Sequence, residues 1–404
     1  MNPYASVLRH PTLRLVALAL LLLGAHNASL YPYQSLIAIE RIGLSKPAFA
    51  LLLVLASAVA VTASVMFGIL GDQHGHRRRS AIATAFASTL GVSLMLIHPS
   101  PITLILSQGV LLPMAWTIYG QLFALARLAS ADEGRQRDTI LGAIRAPMSL
   151  AYLAMLLFWT LAFAMGADVM AVYVTGGLAS LGMSLLVIFG WPHDGQTDWH
   201  DARSGLSLRE AFRAIATPQI LIRLLFLGAV SSAGNIYMVL ISLVFEASPV
   251  RGPGDVALYI GLLAGWEVPA MLLLPRIAHL VPRSTLIALG TLIYALHLIA
   301  LPYLSDTPWL WGMTLFGGFG GAAIPMLPIP YYQNLMHGRP GTAASMPALQ
   351  KLVTDVLTAA AFALGTAVGR FETVAIMGTA VALGGALGLF LVDHNAWFPA
   401  RARG

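Results

Sequence analysis

The chain has 404 residues, of which 58% are hydrophobic and only 10% charged, with a formal net charge of +6. A soluble domain carries about 25% charged residues and could not bury this much apolar surface, so the composition excludes a soluble globule and leaves lipid as the remaining solvent. Cysteine is absent, which excludes disulfides, thiolate metal sites and a cysteine nucleophile.

A lipid-crossing helix needs roughly 20 mostly apolar residues. The hydropathy pattern predicts an all-α membrane protein with twelve such helices, at about 13–37, 47–70, 80–97, 101–127, 139–165, 168–190, 218–246, 255–281, 283–303, 307–332, 346–369 and 371–392. Turn signals separate several of them: "HPSP" (98–101), "ASPVRGPGD" (247–255), "LPYLSDTP" (301–308) and "HGRPG" (337–341). The first span follows Arg9 and Arg14 as a signal peptide would, but eleven further spans make cleavage unnecessary. With the N-terminus in the cytoplasm, eighteen of the 23 Lys and Arg fall on the cytoplasmic side, four outside, and Arg145 inside a span. That asymmetry predicts both termini inside. The basic residues are scattered between apolar runs, which fits membrane topology and not nucleic-acid binding.

The longest polar segment, "WPHDGQTDWHDARSGLSLREAFRAIATP" (191–218), falls in the middle. It divides the chain into an N-terminal six-helix half (1–190), a cytoplasmic linker (191–217) and a C-terminal six-helix half (218–404). Ser207 and Glu210 form a capping box for a short amphipathic helix on the membrane surface. His193, Asp194, His200 and Asp201 read as a solvated loop, so no metal and no cofactor are expected.

Between spans 2 and 3 lies "GILGDQHGHRRRS" (68–80). Six spans plus six, with this loop on the cytoplasmic face, resembles the major facilitator superfamily, whose signature there is a glycine, three residues and Asp-Arg-x-Gly-Arg-Arg. Gly68, Asp72, Gly75 and Arg77 keep that frame, while Gln73 and His76 replace two arginines. The resemblance implies two six-helix halves with a substrate site near the midplane. It also implies that Gly68, Asp72, Gly75, Arg77 and Arg78 form a conformational latch on the cytoplasmic side. A plainer role for Arg77–Arg79 is to anchor topology at the anionic leaflet. The equivalent stretch of the second half, "LPRIAHLVPRS" (274–284), keeps Arg276 and Arg283 but has no acid.

Four further stretches resemble the bacterial sugar efflux transporter family: "GVLLPMAWTIYGQLFALAR" (109–127), "IRAPMSLAY" (144–152), "GWEVPAM" (265–271) and "YYQNLMHGRPGTAAS" (331–345). This resemblance implies export of mono- and disaccharides or glycosides across the bacterial inner membrane, by proton antiport with alternating access.

An ionisable side chain inside lipid is expensive unless paired or hydrated, so each marks a candidate site. Glu267, near the middle of span 8, is the expected proton carrier, protonated in one conformation and ionised in another. Pro269 beside it loosens the helix. Arg145, in span 5, either pairs with a carboxylate and grips substrate oxygens or snorkels to the interface. Asp355 in span 11 is either a second titrating site or half of a local i,i+4 pair with Lys351. His26 and Asn27 fall halfway along span 1. His26 is either a proton relay or a hydrogen-bonded packing residue. Asn235 is the mid-membrane amide of span 7. Trp116, Tyr119, Tyr152, Tyr237 and Trp266 offer flat apolar faces with polar tips, which suits sugar rings. The expected substrate contacts are thus His26, Asn27, Trp116, Tyr119, Arg145, Tyr152, Asn235, Tyr237, Trp266 and Glu267. The expected proton-coupling set is Glu267, Asp355 and His26. In span 10, "GMTLFGGFGGAAIP" (312–325) is a glycine stripe that allows close helix contact.

The alternative function is drug or amphiphile efflux on the same fold. An intramembrane enzyme is disfavoured, because the sequence has no HExxH, no GxSxG and no phosphate-binding glycine loop. The expected partners are a small-molecule substrate, protons and the bilayer, with the chain a monomer.

Overall fold

The computed structural model describes residues 7–74, 77–130, 137–193, 217–277, 280–335 and 340–394. Among them every regular element is helical, and twelve helices are long and apolar enough to cross a membrane. In chain order these are α1 Pro11–Arg41, α2 Lys46–Phe67, α3 Arg77–Ile97, α4 Pro101–Ala129, α5 Ile140–Ala164 and α6 Val169–Gly190. The second set is α7 Pro218–Ala247, α8 Pro253–Leu274, α9 Arg283–Leu304, α10 Leu310–Tyr332, α11 Leu349–Val368 and α12 Phe371–His394. The fold is the predicted twelve-helix membrane architecture. Large apolar side chains such as Leu51, Leu150, Leu178, Phe189 and Leu272 stay on its outside, where a lipid solvent would receive them.

Several boundaries differ from the sequence reading, each for a backbone reason. The first span runs on to Arg41 through a 3₁₀ turn at Tyr31–Tyr33 and a π turn at Ile37–Arg41. In α4 a π segment occupies Ile105–Leu111, and the Leu112 amide donates to the Ser107 carbonyl. Pro113 follows and has no N–H to offer, so the ladder widens just before it. The helix of α10 is interrupted at Leu327, which keeps helical φ and ψ but is followed by Pro328, a residue with no N–H to give to the ladder. The expected turn "HGRPG" ends earlier than read: Pro340 and Gly341 already belong to the helix Pro340–Val368. Proline is well suited to a first helical turn, where its missing N–H costs nothing. The arginine run is also not a loop, because Arg77 opens α3 and the three arginines form its first turn. Positive φ angles at Gly43 (78°) and Gly166 (87°) let the chain reverse after α1 and α5.

The chain divides into two compact units, Met1–Leu44 with Ala58–Gly205, and Ser45–Ser57 with Leu206–Gly404. The first part of α2 therefore clusters with the second unit. In unit 1, α1 is the central helix, packed on α5, α6 and α4, while α3 packs on α6. Its core joins Leu13, Val16 and Leu20 of α1 to Ile118 and Leu122 of α4, Ile144 of α5 and Met183 of α6. Gly24 sits directly on the Met148 carbonyl, so α1 and α5 touch backbone to backbone. In unit 2, α7 packs on α11 and α12, α9 on α10 and α12, and α8 on α10.

The predicted amphipathic helix at 207–215, together with Asp194, His200 and Asp201, lies outside the described residues, as does Gly75. The backbone of Gly68 and Asp72 is helical, α2 continuing to His74, but their side-chain environment also lies outside what is described.

Candidate functional site

Unit 1 ties its polar residues down. His26 Nδ1 donates to the Gly176 carbonyl, 3.0 Å away on α6, and the ring is buried. One turn on, Ser29 accepts from Trp159 Nε1 of α5 (3.2 Å) and Thr175 Oγ1 of α6 (2.9 Å), while donating to the Ala25 carbonyl (2.9 Å). Gln108, inside the π segment of α4, donates to Tyr173 Oη at 2.7 Å. These are buried partners holding helices in register, and buried polar groups are stable only when so paired. Asn27, Tyr119 and Tyr152 are half-buried, with Tyr119 packed on Phe123 at 4.8 Å. Trp116 is exposed and meets Tyr31 edge-on at 6.3 Å. Arg145 is exposed and makes no ion pair among the described residues. It stands eight residues after the helix start at Arg137, about 12 Å at 1.5 Å per residue. Arg78 donates from Nη2 to the Ile188 carbonyl at 2.8 Å, which fastens the first turn of α3 to the end of α6.

Unit 2 brings two of the expected residues together. Asn235 Nδ2 on α7 donates to Asp355 Oδ1 on α11 at 2.6 Å, and Lys351 Nζ meets Asp355 Oδ2 at 2.8 Å. Asp355 is buried, whereas the Lys351 side chain is 45% exposed. Gln350 Nε2 reaches Ser231 Oγ (2.7 Å), and Thr354 Oγ1 reaches the Gly228 carbonyl (3.1 Å). The result is a polar seam between α7 and α11.

Glu267 is placed differently. It is half-buried on α8, and among the described residues it has neither a hydrogen bond nor an ion pair. Its Oε1 lies 3.1 Å from the point where a Cβ on Gly321 would stand, with the Tyr294 ring 3.2 Å from that same point. The glycine stripe of α10 is what admits it. Gly318 receives the Trp266 Cβ in the same way, leaving the Trp266 indole 42% exposed. Tyr237 is fully buried among Tyr259, Tyr294 and His297, with ring centroids 6.3, 6.5 and 5.0 Å away, and so offers no face to a ligand in this conformation.

Two clusters were not singled out from the sequence. His297 on α9 is wholly buried, with Nδ1 3.1 Å from Tyr259 Oη of α8. The signal was present, since a histidine inside an apolar run is the feature that marked His26. The other cluster is an ion pair between the buried Arg223 and the more exposed Asp393, Arg223 Nε to Asp393 Oδ1 at 3.1 Å, with Tyr331 Oη within 3.0 Å of both carboxylate oxygens. Arg223 counts toward topology in the sequence, but its partner lies 170 residues away and no local spacing reveals it. Among the described residues no group of three His, Asp or Glu is placed to hold a metal ion.

Twelve helices among the described residues that are long and apolar enough to cross a membrane, with a few ionisable residues at mid-span, define a polytopic membrane protein. The family model described as Major Facilitator Superfamily matches residues 16–345, and the chain belongs to that superfamily of membrane transporters. A protein of Deinococcus radiodurans named "Putative sugar efflux transporter" is 28% identical over 362 residues, 85% of this chain and 88% of that protein. Among solved structures, the nucleoside transporter NupG matches with a TM-score of 0.77 at 12% identity, covering 96% of this chain and 98% of that one. A POT family transporter in complex with a thioalcohol-conjugated peptide matches with a TM-score of 0.73 at 11% identity, over 94% and 96%. At those identities the structures share the fold.

Proposed function

We propose that this protein exports a sugar or glycoside across a bacterial inner membrane in exchange for protons, by alternating access, as a monomer with both termini in the cytoplasm. The six-span halves 1–190 and 218–404, joined by 191–217, are the parts that move, and Gly68, Asp72, Gly75, Arg77 and Arg78 are the latch on the cytoplasmic side. The substrate class follows the name of the Deinococcus radiodurans relative, whose likeness spans 85% of the chain. The orientation follows the excess of Lys and Arg in one set of loops.

The observation that carries the coupling is the solitary carboxyl of Glu267. Asp355 has Lys351 as counter-charge and Asn235 as donor, and His26 has the Gly176 carbonyl. Glu267 has no such partner among the described residues, so a proton is the partner it takes when the site closes to water. The accessible side chains Trp116, Trp266 and Arg145, with Asn27, Tyr119 and Tyr152, are the proposed substrate contacts.

Everted membrane vesicles test the proposal with a panel of radiolabelled mono- and disaccharides and glycosides. An acid interior drives uptake of at least one of them, and Glu267→Gln loses uphill accumulation while keeping downhill exchange. Uptake indifferent to the pH gradient, or a Glu267→Gln variant equal to wild type, overturns the coupling. The exposed indoles of Trp116 and Trp266 also suit an amphiphile. Resistance profiling separates the two readings: protection against unrelated drugs but not against sugar analogues selects amphiphile efflux.

A further inference from the structure

Within unit 2, the ends of α7 and α9, the α11–α12 turn and Lys46 at the start of α2 enclose a cavity of about 440 Å³. That volume lies within the roughly 300–1,000 Å³ of ordinary small-molecule sites. Its polar lining includes Lys46, Ser248, Asp306, Arg370 and Glu372. Backbone constraints set these residues in place. Gly369 and Arg370 alone connect α11 to α12, and a Cβ on Gly369 would sit on Thr373 Oγ1, so the turn stays tight. Ser248, just past the end of α7, donates from Oγ to Asp306 Oδ1 at 2.6 Å and so ties α7 to the end of α9.

The charges around the cavity are not spent on one another. Lys46 and Arg370 are the cations, Asp306 and Glu372 the acids, and among the described residues none of the four makes an ion pair. Lys46 Nζ rests over the Phe371 ring, 5.0 Å from its centroid, and Asp306 Oδ1 takes the hydroxyls of Ser248 and Ser305. The side chains of Arg370 and Glu372 have no hydrogen-bond partner among the described residues. Opposite charges in contact with water gain little by closing on each other, so they stay open to a ligand. Their signs select its class. An anion would meet two carboxylates, and a cation would meet Lys46 and Arg370. A hydroxyl accepts from the cations and donates to the acids, so a compact polyol uses every group present. Val244 and Pro302 add an apolar wall for the C–H face of a sugar ring.

We propose that this cavity binds a mono- or disaccharide and is the outer station of the exported sugar, an inference that rests on the sugar-export reading. The end of unit 2 that carries it is the one that the Lys and Arg excess assigns to the outside. Lys46 and Arg370 donate to sugar oxygens, while Glu372 and Asp306 Oδ2 accept from sugar hydroxyls.

Thiol protection tests the site, because the chain has no cysteine of its own. Ala247→Cys puts a single thiol on the cavity wall, at an exposed position, and leaves the charges in place. Val250→Cys, 58% exposed and outside the lining, is the control. The full chain in nanodiscs is labelled with a maleimide in the presence of each sugar and glycoside of the uptake panel, and of inorganic phosphate. A sugar at ten times its dissociation constant is expected to slow labelling of Ala247→Cys about tenfold and to leave Val250→Cys unchanged. Glu372→Gln and Arg370→Gln, each combined with Ala247→Cys, are expected to raise the protecting concentration about tenfold, the effect of losing one hydrogen bond to a charged group. Protection that survives both variants unchanged reflects a sugar bound elsewhere and overturns the site. Labelling that no sugar slows at about 100 mM, a hundred times a roughly 1 mM dissociation constant, also overturns it, and export stands if everted vesicles still take up a sugar. Protection by phosphate alone overturns the polyol assignment. Protection by a sugar that vesicles do not take up keeps the binding and overturns both export and the role of a station.

Discussion

The Asn235 amide on α7 donates to the Asp355 carboxylate on α11 at 2.6 Å, and the contact closes a seam that begins one helical turn earlier with Gln350 and Ser231. Asp355 is thereby held from two sides, by the amide and by the Lys351 ammonium at 2.8 Å. Gly228 lets the seam close. A Cβ there would stand 2.5 Å from Val353 Cγ1, so only glycine allows α7 and α11 to approach this far.

Asp355→Ala is expected to lower unfolding free energy by about 1–3 kcal/mol, because it strands two donors while the half-exposed Lys351 recovers some hydration. Lys351→Met alone should cost about 1 kcal/mol, and the double variant less than the sum of the two. Reversible unfolding of the purified chain in a double-mutant cycle checks this. A coupling energy below about 0.3 kcal/mol would mean that the two side chains are neighbours without a functional bond.

Arg223 and Asp393 fasten α7 to α12, with Tyr331 of α10 as the third member. Arg223→Met removes the counter-charge of Asp393, which water partly replaces at that exposed carboxylate, and is expected to cost about 1–2 kcal/mol. Tyr331→Phe removes hydroxyl contacts only and should cost about 1 kcal/mol. Arg223→Met with Asp393→Leu is expected to recover much of the loss, since an apolar pair needs no desolvation offset. The same unfolding assay reads all three, and a double variant no better than Arg223→Met alone would contradict this account.

The membrane architecture was legible because apolar run length is a one-dimensional property: twelve spans follow from counting. The glycine stripe at 312–325 was also legible as a close-contact surface, and Gly317, Gly318 and Gly321 do receive His297, Trp266 and Glu267. Partnership across helices was not legible. The local signal that separates Asp355 from Glu267 is Lys351, four residues earlier; the other partner of Asp355, Asn235, lies 120 residues away on another helix and leaves no trace in local spacing. For the same reason His26 and His297 look alike in the chain yet differ in surroundings: both meet a backbone group, of Gly176 and of Met313, but only His297 is also ringed by tyrosines.

The stripe yields a contrast between glycines. A Cβ at Gly318 would press on the Trp266 Cβ and lie 2.7 Å from the Leu263 carbonyl, whereas nothing lies within 4 Å of a Cβ at Gly120. Gly318→Ala is therefore expected to destabilise by about 1–3 kcal/mol through forced separation of α8 and α10. Gly120→Ala is expected to be neutral or to stabilise by up to about 1 kcal/mol, as alanine restricts the unfolded chain and favours helix. Melting temperatures of the two variants side by side decide the point, and equal effects would refute the packing account.

His26 offers the sharpest separation of a tie from a carrier. Its Nδ1 proton is committed to the Gly176 carbonyl, so the ring fastens α1 to α6. Replacing it with alanine removes that bond and strands a buried carbonyl, at an expected cost of about 1–3 kcal/mol in stability. On the proposal that Glu267 is the carrier, the pH profile of gradient-driven uptake should nevertheless keep its midpoint and its slope. Glu267→Gln should show the opposite pattern, with a near-normal melting temperature and a flat pH profile. Were His26→Ala to flatten the profile while leaving stability untouched, the roles of the two residues would have to be exchanged.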